Sequence, residues 1–243
     1  MPVAPGTLYL LPTPLAATEL EAVLPAGVLA RVRALRHFVA ETPKQARQFL
    51  ARADLPVPIQ QISIAVLDEH TTHDHIPVLL EPLLAGNDVG LLSDAGCPAV
   101  ADPGAELVRC AHERGIAVRP LVGPSSILLA LMGSGLNGQR FTFHGYLPVD
   151  AQRRAQRIRE LERESRERDA TQIFIEAPYR NPRMLQALLE HCAADTRIGL
   201  ATDLTDATES VRTRSVAQWR RQPPAIERRP TVFLLYAGAR RAR

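Results

Sequence analysis

Short apolar runs alternate with amphipathic stretches along most of this chain. Runs rich in Leu, Val, Ile and Phe at 8–11, 38–40, 62–67, 89–92, 118–121, 142–146, 171–176, 198–202, 209–213 and 231–236 predict strands. Between many of them, apolar positions recur at helical spacing over 43–53, 76–85, 105–114, 125–132, 151–166 and 181–193. Pro43 after Thr42 and Pro182 beside Asn181 mark helix starts, and Gly115 after Arg114 marks a stop. Strands alternating with helices predict an α/β protein with a largely parallel sheet.

The pattern changes at Gly133-Ser134-Gly135-Leu136-Asn137-Gly138, where three Gly, a Ser and an Asn read as a linker. Beyond it strands crowd toward the end of the chain, which predicts a mixed sheet. The expected division is an α/β domain over 1–135 and a second over 139–243. Two such domains leave a cleft, and domain interfaces are favoured sites for small ligands.

The stretch with the most chemistry directly follows Val89-Gly90-Leu91-Leu92. It reads Ser93-Asp94-Ala95-Gly96-Cys97-Pro98-Ala99-Val100-Ala101-Asp102-Pro103-Gly104. A buried strand thus ends in small residues, two carboxylates and two prolines before a helix begins. In open α/β sheets ligands bind outside the carboxyl ends of the strands. The glycines permit close backbone approach, and the prolines stiffen the loop. An ordinary turn and helix start would use the same residue types.

Composition sets bounds. With 243 residues, 46% hydrophobic and 23% charged, the chain is long enough for one large domain or two small ones. No apolar run approaches the ~20 residues that cross a bilayer, and the first eleven residues lack the basic start of a signal peptide. A cytoplasmic location and no membrane contact are expected. Cys97, Cys110 and Cys192 are too far apart for a disulfide framework or a metal pair. Charge is unevenly spread. Residues 210–243 hold nine Arg and one acid, Glu227, a net of +8, so 1–209 carry −5 within the total of +3. Seven Arg and four Glu between 153 and 168 read as a solvated helix laced with ion pairs. Lys44 is the only lysine, which points to compositional bias as much as to nucleic-acid binding.

Neither a phosphate-binding Gly-x-x-x-x-Gly-Lys-Ser/Thr nor a Gly-x-Gly-x-x-Gly is present, which argues against nucleotide hydrolases and ordinary dinucleotide enzymes. Pro12-Thr13-Pro14 makes a rigid exit from the first strand. Gly123-Pro124-Ser125-Ser126 offers a helix N-terminus suited to a carboxylate, or simply a cap. His70, His73 and His75 have helical spacing for two of the three only, so no metal is expected. His144-Gly145-Tyr146-Leu147-Pro148, Glu176-Ala177-Pro178-Tyr179-Arg180-Asn181 and Asp203-Leu204-Thr205 are further strand exits. Tyr179 suits stacking on an adenine, and Arg180 suits a carboxylate or phosphate. No nucleophilic triad declares itself.

In order along the chain, these motifs resemble the tetrapyrrole methylase superfamily, the class III S-adenosylmethionine (SAM)-dependent methyltransferases. The likeness rests on Gly6-Thr7-Leu8-Tyr9-Leu10-Leu11-Pro12-Thr13-Pro14, the 93–104 loop and Gly123-Pro124-Ser125. It continues through Gly145-Tyr146-Leu147-Pro148, Ile175-Glu176-Ala177-Pro178-Tyr179-Arg180 and Asp203-Leu204-Thr205. The nearest branch is that of the small-subunit rRNA cytidine 2′-O-ribose methyltransferases. The resemblance implies two α/β domains with SAM in the cleft, in a homodimer. It assigns Pro12, Asp94, Ala95, Gly96, Cys97, Val100, Ser125 and Ser126 to the SAM site from the first domain. From the second it assigns Tyr146, Ala177, Pro178, Tyr179 and the region of Thr231.

Departures from that branch bear on the acceptor. Its Ile-Gly-Asn after Pro-Thr-Pro is Leu15-Ala16-Ala17 here, and its Glu-Asp-Thr-Arg is Glu41-Thr42-Pro43-Lys44. The chain also closes with the methylase core, so a shorter paralogue is expected. RNA is the expected substrate, favoured by the basic final third. A tetrapyrrole-type small molecule, and a SAM- or RNA-binding protein without catalysis, are the alternatives. Asp94 and Asp102 are candidate bases, neither assigned.

Overall fold

The computed structural model describes residues 3–238 and divides the chain into two units, 1–125 and 126–243. Arg240, Arg241 and Arg243 of the basic run lie outside the described residues.

The first unit runs β1 (Thr7–Leu11), α1 (Leu20–Val23), α2 (Ala26–Ala34), β2 (His37–Ala40), α3 (Pro43–Arg52), β3 (Ser63–Val66), α4 (Ile76–Leu79), α5 (Glu81–Leu84), β4 (Val89–Leu92), α6 (Ala105–Glu113) and β5 (Ala117–Pro120). Its sheet has the order β3-β2-β4-β1-β5, and every pairing is parallel. Side-chain alternation builds a core on each face. Tyr9, Leu11, Phe38 and Leu92 pack under α1–α3, whereas Leu8, Val39, Val89 and Leu91 pack under α4–α6. Gly90 leaves room for close side-chain packing at the centre of the sheet. A Cβ there would stand 2.5 Å from Leu11 Cδ1 and 3.0 Å from Leu35 and Phe38. Because all five strands run the same way, the segments after each of them emerge along one edge.

The helix expected over 76–85 is two single turns, α4 and α5. Pro82 has no N–H to donate back into the preceding turn, so a continuous helix cannot form through it. Helices α1 and α2, between the first two strands, are not among those the sequence pattern predicts.

The second unit runs α7 (Ser126–Ser134), β6 (Phe141–Tyr146), α8 (Ala151–Arg168), β7 (Thr171–Ile175), α9 (Asn181–His191), β8 (Arg197–Thr202), β9 (Ser210–Ser215), α10 (Val216–Arg221) and β10 (Thr231–Tyr236). Its sheet, β6-β7-β10-β8-β9, is mixed as expected. Only β6 and β7 are parallel to each other. Phe174 and Phe233 stack at 5.7 Å in a core with Trp219, Ile198 and Leu200, beneath α8, α9 and α10. The opposite face is covered by α7, where Gly133 meets Val211 and the Thr213 hydroxyl donates to Ser134 O at 2.7 Å. That packing draws the division after Ser125 rather than in the 133–138 glycine cluster, because α7 covers β8, β9 and β10. The unexpected α10 carries a capping box, with Ser215 and Gln218 bonding each other's backbone N–H.

Candidate functional site

In the first unit, three strand exits are stitched together at the carboxyl edge. Thr13 and Gly96 exchange backbone hydrogen bonds of 2.9 and 3.1 Å, joining the segment after β1 to the loop after β4. The Thr13 hydroxyl donates to Ser93 O at 3.1 Å, and both residues are buried. Gly123, after β5, sits flat against Pro12, and the Cys97 thiol lies 3.5 Å from Pro124 O. Pro12, Asp94, Ala95, Gly96, Cys97 and the 123–125 segment are thus gathered on one edge. Val100 stands 48% exposed on the outer part of the loop.

The loop holds its shape against local preference. Gly96 and Gly104 have φ of 82° and 128°, and the non-glycine residues Ala99 and Ala101 both have φ of 63°. Left-handed backbone at two alanines costs of order 1 kcal/mol or more each, and such conformations concentrate at functional sites.

Three carboxylates converge there. Asp94 accepts from the Thr42 hydroxyl at 2.7 Å and from the Thr42 N–H at 3.3 Å. Asp102 accepts from the Ser93 hydroxyl, which also receives the Ala95 N–H at 3.2 Å. Burial raises the pKa of Asp102, against the Ser93 hydrogen bond, and the Asp94 charge adds to the rise. Burial raises Glu41 as well, reinforced by the charges of Asp94 and Asp102. Burial and then Asp102 push the Cys97 thiol up, which keeps it protonated and unreactive. The edge is therefore anionic and unsuited to phosphate. Beside it, a groove of about 680 Å³ runs between residues 13–17 and α3, with Asp94 in its lining and Gln45, Gln48 and Arg52 on the helix side.

In the second unit, Tyr146 ends β6 after an irregularity at Gly145, whose φ is 64°, and pairs with Ile175. The turn Pro178–Arg180 follows β7. Val232 also pairs with Ile175, so Thr231 lies beside the same strand end, with its hydroxyl 3.3 Å from that of Thr202. The structure accordingly brings Tyr146, Ala177, Pro178, Tyr179 and Thr231 to one edge of this sheet. Ser126 opens α7, on the opposite face from α9. Tyr146 and Tyr179 are 59% and 68% exposed, so neither is a core aromatic. The Arg180 guanidinium lies over the Tyr179 ring at 5.3 Å and pairs with the buried Glu176 at 2.7 Å. Arg180 is thus a brace for the 177–179 turn rather than a free anion ligand. Asp203, with φ of 50°, accepts from Arg229 at 2.7 Å.

The sequence reading missed Thr42 as the partner of Asp94. Finding it required the adjacency of β2 and β4, which no local pattern encodes. His73 pairs with Glu106 and His70 with Glu69. Among the described residues no cluster of three potential ligands gathers around a metal position, and no helix is long and apolar enough to cross a membrane.

The chain matches the tetrapyrrole (corrin/porphyrin) methylases over residues 7–219. It is 31% identical over 234 residues to the "Ribosomal RNA small subunit methyltransferase I" of Streptococcus pyogenes serotype M6, covering 96% of this chain and 77% of that protein. The protein of the same name from Pseudomonas aeruginosa is 32% identical, over 88% of this chain and 71% of that one. The one from Vibrio cholerae is 35% identical over 152 residues, 63% of this chain and 51% of that protein. Among solved structures, the methyltransferase CobJ superposes with a TM-score of 0.63 at 19% identity, over 95% of this chain and 94% of that one. The uroporphyrin-III-C-methyltransferase of Thermus thermophilus gives 0.57 at 17%, over 96% and 92%. At those identities the structural likeness speaks for the fold, while the matched family and the sequence relatives speak for descent. The chain belongs to the tetrapyrrole methylases.

Proposed function

We propose that this chain is a SAM-dependent methyltransferase that modifies RNA at a ribose hydroxyl, with small-subunit rRNA as the substrate class. The observation that carries this reading is the carboxylate-lined edge of the first sheet in a chain of this family. SAM supplies an electrophilic methyl group on a sulfonium and carries an ammonium besides. Asp94, Asp102 and Glu41 offer the negative field that a cationic ligand needs. The close backbone at Pro12, Gly96 and Gly123 and the strained 99–101 segment form a rigid cradle around that field.

Methyl transfer of this kind is an in-line displacement, so positioning and exclusion of water supply most of the acceleration. Pro12, Asp94, Ala95, Gly96, Cys97, Val100 and Ser125 are proposed to hold the cofactor in the first unit. Ser126, Tyr146, Ala177, Pro178, Tyr179 and Thr231 are the second unit's candidates. The exposed rings of Tyr146 and Tyr179 support a stacking role. The groove along α3, which Asp94 helps to line, has room for an acceptor nucleoside. A homodimer and a cytoplasmic location belong to the same proposal. Leu128 and Met132, one turn apart and exposed on α7, favour the dimer.

Calorimetric titration with SAM and S-adenosylhomocysteine, on the wild type and on Asp94→Ala and Ser125→Ala, tests the cofactor. Micromolar binding weakened by both substitutions supports the reading. Transfer of labelled methyl to small-subunit RNA, and not to a porphyrinogen, supports the acceptor, and the reverse preference replaces RNA with a tetrapyrrole. Binding of SAM with no transfer to either leaves a non-catalytic binding protein.

A further inference from the structure

The second unit holds a small polar cavity, about 230 Å³, that the proposed methyl-transfer residues do not use. Arg212 and Arg229 line it together with Thr202 and Ser210, over an apolar floor that includes Trp219 and Ile226. Its position follows from strand register. Arg212 lies on the edge strand β9 opposite Leu200 of β8, and Leu200 belongs to the core under α9 and α10. The arginine therefore reaches over that side of the sheet rather than toward α7.

The two guanidiniums differ in one decisive respect. Arg229 is anchored, with Nε and Nη2 each 2.7 Å from Asp203 Oδ2 and Nη2 donating to Thr208 O at 2.8 Å. Its charge is balanced. Arg212 has no hydrogen-bond acceptor or carboxylate partner among the described residues, and it stands exposed at the cavity mouth. Arg229 is thus compensated by Asp203, with Asp206 also in its field, whereas Arg212 lines the cavity without a carboxylate, and the Ser210 hydroxyl adds a further donor. An arginine at a cavity with no carboxylate of its own favours an anion beside it. The planar donor fork of arginine suits phosphate oxygens. The volume equals on the order of eight waters, enough for a phosphate with part of its sugar.

We propose that this cavity binds a phosphodiester of the RNA substrate, with Arg212 as the principal donor. Such a contact positions a strand and does not read its bases. The inference rests on the reading of RNA as the acceptor. Inorganic phosphate offers the same oxygens, so the test separates the two.

The experiment measures binding of a short labelled single-stranded RNA to the full chain by anisotropy across a salt series, and of inorganic phosphate and SAM by calorimetry. The variants are Arg212→Ala, Arg212→Lys and, as a matched loss of one charge from α8, Arg163→Ala. Arg212→Ala is expected to weaken binding about tenfold at low salt and to flatten the salt slope by about 0.7, the value of one phosphate contact on a single strand. Arg212→Lys falls between, Arg163→Ala stays near wild type, and SAM affinity is unchanged in all three. Equal loss in Arg212→Ala and Arg163→Ala, or no loss in either, overturns the inference while leaving the methyltransferase reading intact. Phosphate binding that depends on Arg212, with RNA binding that does not, also overturns it. A wild type that binds SAM but no RNA overturns this inference and the RNA acceptor together.

Discussion

Pro12 and Gly123 meet so closely that a Cβ at position 123 would lie 2.2 Å from the Pro12 Cγ and 2.4 Å from its Cβ. The contact joins the exits of β1 and β5 across the sheet. A proline ring cannot rotate away, so the backbone has to give. Gly123→Ala is expected to cost about 2 kcal/mol, in the range for overpacking a filled site, and to weaken SAM binding at least tenfold. Urea unfolding and calorimetry check the two effects, and wild-type values in both would show that the joint is slack.

Thr42 fixes the direction in which Asp94 points. Thr42→Val keeps the shape and the backbone N–H but removes the hydroxyl. With the site partly open to water, the expected loss in SAM affinity is about fivefold, equivalent to roughly 1 kcal/mol for a hydrogen bond to a charged group. Thr42→Ser should restore it. A valine variant with undiminished affinity would remove Asp94 orientation from the account.

Asp102 has a raised pKa from burial, so the folded chain holds its proton more tightly than the unfolded chain does. The stability this contributes is present below the ordinary carboxylate pKa and is lost as pH rises through the raised value. At neutral pH the ionised group is therefore a burden. Asp102→Asn is expected to melt higher than wild type at pH 7, with the gap closing as pH falls toward about 4. A gap that is constant with pH would assign the effect to packing instead.

Glu176 is buried and Arg180 is its cationic partner, the remaining contact among the described residues being the Ala177 N–H at 2.8 Å. Arg180→Met strands a carboxylate. The expected destabilisation is about 2–3 kcal/mol, just below the range for fully buried pairs because the guanidinium keeps some exposure. Adding Glu176→Gln should recover much of it. Chemical denaturation of the two variants measures both, and equal stability in wild type and Arg180→Met would mean the pair is only a surface ion pair.

Much of the architecture was open to a reader of the sequence. The runs at 89–92 and 231–236 became β4 and β10 with the same bounds, because strands buried on both faces must be continuously apolar. The 93–104 loop is legible as well, since Asp, Gly and Pro crowd directly after a buried strand. Helix α10 was missed although its Ser215–Gln218 capping box was there to be read. Helix α2 was also passed over, and its apolar face shows only when packed with Phe38 and Leu11.

Sequence by itself determined the strand–helix alternation, the mixed second sheet and the chemistry available at each strand exit. Periodicity and residue type are local properties, and they survive without a fold. Tertiary structure alone decided that Thr42 serves Asp94, that Gly123 must be glycine because of Pro12, and that Arg212 is left without a counter-charge. Each depends on which strands are neighbours. Strand order is set by burial of the whole sheet, a property no single segment carries.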